Sequence, residues 1–296
     1  MKERFEVIEE QTNMPGYLFR PQKKGLYPGI IFVHGSGGGS NNFINTPFAP
    51  LRPTGKEAPF VRRAFEYAQK GYVALALSYF DFPTSKSLSI IPPTELVAVD
   101  IKKITENALS RMRTFDFVDE KRVGIYGNSR GAEHVLLLAS LAHSESPGAP
   151  DYVVSISPTA YIWGGISKEI AEKYKRGEDF EWPHLPAWHY EDRALVPDRI
   201  AFEKITVPFF ISTFKNDTVW NTQNDCMDIQ NQLIKHDIDF TEYDFTEYQK
   251  TRPPIQKGKN ILLEIPLEGH CYPDKVQYPN EAQLLEDIVF TFIEQY

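Results

Sequence analysis

Cysteine is nearly absent: the 296 residues hold two, Cys226 and Cys271, too few for the cross-linked framework on which small secreted folds depend. Both are expected to be free thiols. Positive charge is also short, with 32 Lys and Arg against 40 Asp and Glu and a formal net charge of −8. No basic stripe or tail offsets that balance, so no nucleic-acid partner is expected. Long apolar runs are missing too. The longest, "VLLLASLA" at 135–142, falls far short of the roughly 20 residues of a membrane-spanning helix, and the N-terminal "MKERFEVIEEQT" has no apolar leader segment. These absences predict a soluble, cytoplasmic protein with no membrane partner.

What is abundant is core material. Hydrophobic residues make up 42% of the chain, with 20 Phe and 15 Tyr, enough for a large buried interior. A single domain over 1–296 is expected, because large α/β folds often reach this size as one unit. Short, continuous apolar runs at 27–35, 72–79, 122–127, 152–158, 207–213 and 260–266 suit strands covered on both faces. Between them, 59–71, 95–113, 132–142, 224–236 and 281–296 carry helical periodicity. That alternation predicts an α/β fold built on a mostly parallel sheet. The more evenly alternating "RFEVIEE" and "PGYLFRP" predict an antiparallel hairpin at the sheet edge.

One span breaks the rhythm. Residues 159–204 lie between two strands and hold Trp163, Trp182 and Trp188, and so long a connection in a compact domain is usually functional. It is expected to form an aromatic lid or cap, with the three tryptophans offering apolar surface to a small-molecule substrate.

Within "RVGIYGNSRGAEHVLLLA" (122–139), the segment Gly-Asn-Ser-Arg-Gly at 127–131 fits G-x-S-x-G. The motif has meaning only where a strand precedes it and a helix follows, because the serine then sits on a sharp turn that bulky neighbours would block. Both conditions are met, so Ser129 is the candidate nucleophile. Its hydroxyl needs a base. Of the seven histidines, His270 in "IPLEGHCYP" follows the last strand and precedes the last helix, the place from which this topology delivers one. The base needs a carboxylate to fix its tautomer. Asp217, in "VPFFISTFKNDTVWN", follows a strand and gives the chain order Ser, Asp, His typical of α/β-hydrolases; Asp225 is the second candidate.

An acyl-transfer oxyanion needs backbone donors. The amide of Arg130 is one, and Ser36 in "HGSGGGS" is the expected other, with Gly37 beside it close to the substrate. That glycine run lacks the Lys-Ser/Thr ending of a phosphate loop and the spacing of a dinucleotide fingerprint. His184, His189, Glu191 and Asp192 do not match a helical zinc motif, so neither metal nor cofactor is expected.

"GIYGNSRGAE", "VVSISPTAYIWGG", "EKITVPFFISTFKNDTVWN" and "LEGHCYP" together resemble the C-terminal catalytic domain shared by acyl-CoA thioesterases and bile acid-CoA:amino acid N-acyltransferase. The likeness covers roughly 15–296 and extends, more distantly, to dienelactone hydrolases. The resemblance implies an α/β-hydrolase fold, attack on an acyl thioester, and the roles of nucleophile, acid and base on Ser129, Asp217 and His270. It also implies water as the acceptor, since thioesterase members carry serine where the amino acid transferase carries cysteine. Arg130 stands where the family usually has lysine. A carboxylesterase, a lactone hydrolase and a fold that binds ligand without turnover are the alternative expectations.

Overall fold

The computed structural model describes residues 4–12, 14–35, 59–79, 96–176, 178–179, 181, 185–217, 222–270, 272–273 and 278–296. Strands β1 (Val7–Glu10) and β2 (Gly16–Pro21) form the antiparallel hairpin that the N-terminal alternation predicts. β3 (Tyr27–Val33), α1 (Pro59–Gln69), β4 (Val73–Leu77), the two-residue β5 (Val99–Asp100), a π-helical turn at Lys102–Glu106 and α2 (Asn107–Met112) follow. The next elements are β6 (Val118–Asn128), α3 (Arg130–Leu141), β7 (Val153–Ile156), α4 (Lys168–Arg176), β8 (Trp188–Tyr190), β9 (Arg193–Ala194) and β10 (Phe209–Asn216). Last come α5 (Thr222–Lys235), β11 (Phe240–Asp244), α6 (Phe245–Thr251), β12 (Asn260–His270), β13 (Tyr272–Pro273) and α7 (Pro279–Ile293).

The main sheet runs β1-β2-β4-β3-β6-β7-β10-β12-β11. It is parallel from β4 to β11, with the hairpin antiparallel at one edge. The apolar runs are continuous because both faces are covered. Along β3, Ile31 and Val33 turn to one face and Ile30 and Phe32 to the other, and all four are fully buried. Residues of α2, α3 and α5 close the first face; residues of α1, α6 and α7 close the second. Among the described residues no helix is long and apolar enough to cross a membrane.

Three differences from the sequence expectation have identifiable physical causes. The periodic stretch 95–113 is not one helix. Leu96 exchanges backbone hydrogen bonds with Ile166, and the Val99 amide donates to the Ala187 carbonyl, so these residues extend alongside the insertion. Helix then starts where the Asp100 carboxylate accepts from the Lys103 amide. β11 and α6, hidden in the charged "FTEYDFTEYQKT", were not expected; β11 is an edge strand whose residues are partly buried or exposed, so its sequence lacks the apolar run of an inner strand.

The third difference lies in the insertion. Ala160, Ala187, Trp188, Tyr190, Ile200 and Phe202 belong to the same core as α3. β8 pairs with β5 and β9 in a small second sheet. This part of 159–204 packs as a layer against the core that α3 shares.

Candidate active site

The site assembles at the carboxyl ends of the parallel strands, the usual location for ligands on an open α/β sheet. Ser129 follows β6, Asp217 follows β10, and His270 is the last residue of β12, where a loop position was expected. β10 and β12 are neighbours paired in parallel, with Asn216 opposite Glu268. Adjacent strands lie about 4.8 Å apart, so that this pairing brings Asp217 and His270 side by side.

Ser129 sits at φ 53°, ψ −121°, a conformation that L-residues adopt only under constraint from their surroundings. Close backbone packing, which the flanking glycines permit, supplies that constraint. A Cβ on Gly127 would lie 2.1 Å from the Gly131 carbonyl oxygen, and one on Gly131 would lie 2.2 Å from the Val33 carbonyl oxygen. β3, β6 and α3 therefore meet backbone to backbone, and only glycine fits at the two contacts. Gly35 approaches from the other side: a Cβ there would be 3.1 Å from the Ser129 Cβ.

His270 Nε2 lies 2.8 Å from Ser129 Oγ, and its Nδ1 lies 2.6 Å from Asp217 Oδ2. An ionised carboxylate can only accept. Asp217 therefore selects the tautomer with the proton on Nδ1, which leaves Nε2 to accept from the serine hydroxyl. The Asp217 side chain is fully buried, that of His270 is 17% exposed, and Ser129 is 7% exposed. The line of three is thus sheltered yet open at the imidazole. Asp225 takes no part in it. Its Oδ1 accepts from the Thr159 hydroxyl and the Ala160 amide, each at 3.1 Å, and burial raises its pKa against those two hydrogen bonds.

The Arg130 amide opens α3, where the first N–H groups have no intrahelical acceptor and the helix field favours negative charge. Its side chain turns away from this role. The guanidinium is buried and bonds Glu133, at 2.7 Å, and the Gly164 carbonyl, at 3.0 Å. Ser36, Gly37 and Trp182 lie outside the described residues. Trp163 is partly buried, and its indole N–H donates to Thr159 Oγ1 at 2.9 Å.

Trp188 requires a correction. Expected to offer surface to a substrate, it has no exposure at all and donates from Nε1 to Glu133 Oε1 at 2.7 Å; a side chain so enclosed holds the insertion to α3. Glu191 pairs with Lys102 and Asp192 with Lys103. Glu133 was not among the expected site residues, although a carboxylate in the mostly apolar "AEHVLLLASLA" is a visible signal. Burial raises its pKa; Arg130, the Trp163 amide and the Trp188 indole oppose that shift.

Among solved structures, the chain aligns over 98% of its length with all of the Klebsiella pneumoniae protein assigned as a dienelactone hydrolase, at TM-score 0.56 and 13% identity. It aligns over 99% with 98% of MGS-M1, an alpha/beta hydrolase enzyme from a Medee basin deep-sea metagenome library, at TM-score 0.51 and 15% identity. The chain has the α/β-hydrolase fold. Within that fold it is distantly homologous to two curated proteins. It is 31% identical to quorum-quenching protein AidA of Acinetobacter baumannii over 42% of this chain and 34% of that protein. It is 29% identical to the peroxisomal succinyl-coenzyme A thioesterase of Mus musculus over 49% of this chain and 27% of that protein. These matches span about a third or less of either relative's length. No family profile matches the chain.

Proposed function

We propose that this α/β-hydrolase-fold chain hydrolyses a carboxylic ester or acyl thioester through an acyl-enzyme on Ser129. The observation that carries the reading is the imidazole of His270, within hydrogen-bond distance of Ser129 on one side and Asp217 on the other. Nε2 takes the hydroxyl proton as Oγ adds to the substrate carbonyl. The charge on the carbonyl oxygen falls beside the Arg130 amide, with Ser36 proposed as the second donor. His270 then gives its proton to the departing alcohol or thiol. In the second half of the cycle it deprotonates water, which adds to the acyl-enzyme and releases the acid and Ser129. Throughout, Asp217 stabilises the imidazolium. Trp163, together with Gly37 and Trp182, is proposed to border the acyl or leaving group.

The thioester is the first substrate class to try, because the mouse relative is named a thioesterase. Hydrolysis of acyl-CoA, followed with a thiol reagent, is compared with hydrolysis of p-nitrophenyl esters and of lactones, using Ser129→Ala as the control. Turnover of at least one class by the parent, and none by the variant, supports the reading. A parent that binds an ester and returns it intact would point to a ligand-binding protein instead.

A further inference from the structure

The segment after β7 is held twice, each time by a buried acid. Glu133, fully buried on α3, divides its carboxylate: Oε2 accepts from Arg130 Nη1 at 2.7 Å, while Oε1 accepts from the Trp163 amide at 2.8 Å and the Trp188 indole at 2.7 Å. Arg130 Nη2 donates to the carbonyls of Gly164, at 3.0 Å, and Trp163, at 3.4 Å. The peptide groups on either side of Trp163 are therefore gripped by one ion pair, its amide by the acid and its carbonyl by the base. The second hold is on the ring. The Trp163 indole donates to Thr159 Oγ1, which donates in turn to Asp225 Oδ1 in the first turn of α5.

An ion pair with side chains 3% and 0% exposed is a poor means of stabilising a fold, because desolvation consumes most of its Coulomb attraction and apolar residues of similar volume often do better. What such a pair can supply is one defined arrangement of the groups bonded to it. Arg130 is also the residue next to the nucleophile, so the grip fixes Trp163 relative to Ser129. We infer that Arg130 and Glu133 form a positioning pair that sets Trp163 at the carboxyl edge of the sheet and thereby determines which acyl groups the site accepts. The inference rests on the hydrolase reading for its kinetic consequence, though not for its structural one.

The test compares Glu133→Gln, Trp163→Ala and the parent over p-nitrophenyl esters from acetate to laurate, alongside hydrogen exchange of the peptide covering 160–164 in the substrate-free protein. Glutamine keeps an acceptor for the two N–H groups on Oε1 but turns an amide donor toward Arg130. Expected for Glu133→Gln are faster exchange at 160–164 and a chain-length profile displaced in the same direction as by Trp163→Ala, with KM for the parent's preferred ester about tenfold higher. The rate at which a small fluorophosphonate labels Ser129 should stay within about threefold of the parent.

Parental exchange at 160–164, or a drop in activity shared equally by every ester, would overturn the inference. If the parent hydrolyses no p-nitrophenyl ester, acyl-CoA or lactone, the hydrolase reading fails and the exchange result still decides the positioning role. Should Glu133→Gln not fold, Arg130→Lys takes its place. Lysine keeps the charge but lacks the planar fork that bonds a carboxylate and two carbonyls together, so the same exchange and profile shifts are expected of it, and parental behaviour in both overturns the pair.

Discussion

The imidazole Nε2 of His270 stands 2.8 Å from the hydroxyl oxygen of Ser129, although 141 positions of sequence separate them. The separation is closed by the sheet: β6 and β12 are held in order by β7 and β10, and both residues leave their strands at the same edge. Function on this account depends on strand order and register more than on any local motif.

Asp217→Asn is expected to retain the fold and lose about 10⁴-fold in kcat, by analogy with other triads. The asparagine amide can present a donor to Nδ1 and favour the wrong tautomer. Steady-state kinetics with circular dichroism on the same sample checks both halves of the statement. A loss below tenfold would remove Asp217 from the role.

Gly131→Ala should disrupt the turn itself. The added methyl meets the Val33 carbonyl oxygen at 2.2 Å and the His34 carbonyl oxygen at 2.5 Å, and backbone on both sides cannot yield cheaply. A stability loss of about 2 kcal/mol or more is expected in urea unfolding, together with slower labelling of Ser129. Parental stability would show that β3 and α3 meet less closely than described.

Trp188→Phe separates packing from substrate contact. It removes the donor to Glu133 and leaves a buried carboxylate oxygen with one partner fewer, at an expected cost of roughly 1–3 kcal/mol. Chemical denaturation measures that cost. KM for small esters such as the acetate is expected to stay at the parental value; a large rise would return Trp188 to the substrate surface.

His134 makes stability depend on pH. It is fully buried, its Nε2 is 2.7 Å from Thr105 Oγ1, and burial above all lowers its pKa to about 3. The ordinary value is 6.5, so between these limits the unfolded chain binds a proton that the folded chain refuses. This contribution is therefore fully present above pH 6.5 and lost as pH falls toward 3, at a slope of about 1.4 kcal/mol per pH unit. Urea titrations at several pH values, on the parent and on His134→Gln, should show a shallower acid dependence in the variant. Identical slopes would contradict the assignment.

The parts of the molecule legible in the sequence were those with one dominant physical demand. Strands covered on both faces need continuous apolar residues, so β3, β4, β6, β7, β10 and β12 announced themselves. The close backbone approach at Ser129 needs glycine at 127 and 131. Less visible were features set by a partner elsewhere in the fold. The break before α2 depends on Ile166 and Ala187 pairing with 96–99, and no local window contains that information. Trp188 was assigned to a substrate because aromatic residues in an insertion suit either a ligand or a core, and the choice was made by Glu133 on α3.

The most direct measurement is the rate of covalent labelling by a fluorophosphonate, with the modified peptide identified by mass spectrometry in the parent and in His270→Ala. A single adduct is expected, on Ser129, formed rapidly in the parent and at least about a hundredfold more slowly without the imidazole. Equal rates in the two proteins, or an adduct on another residue while Ser129 stays unmodified, would contradict it.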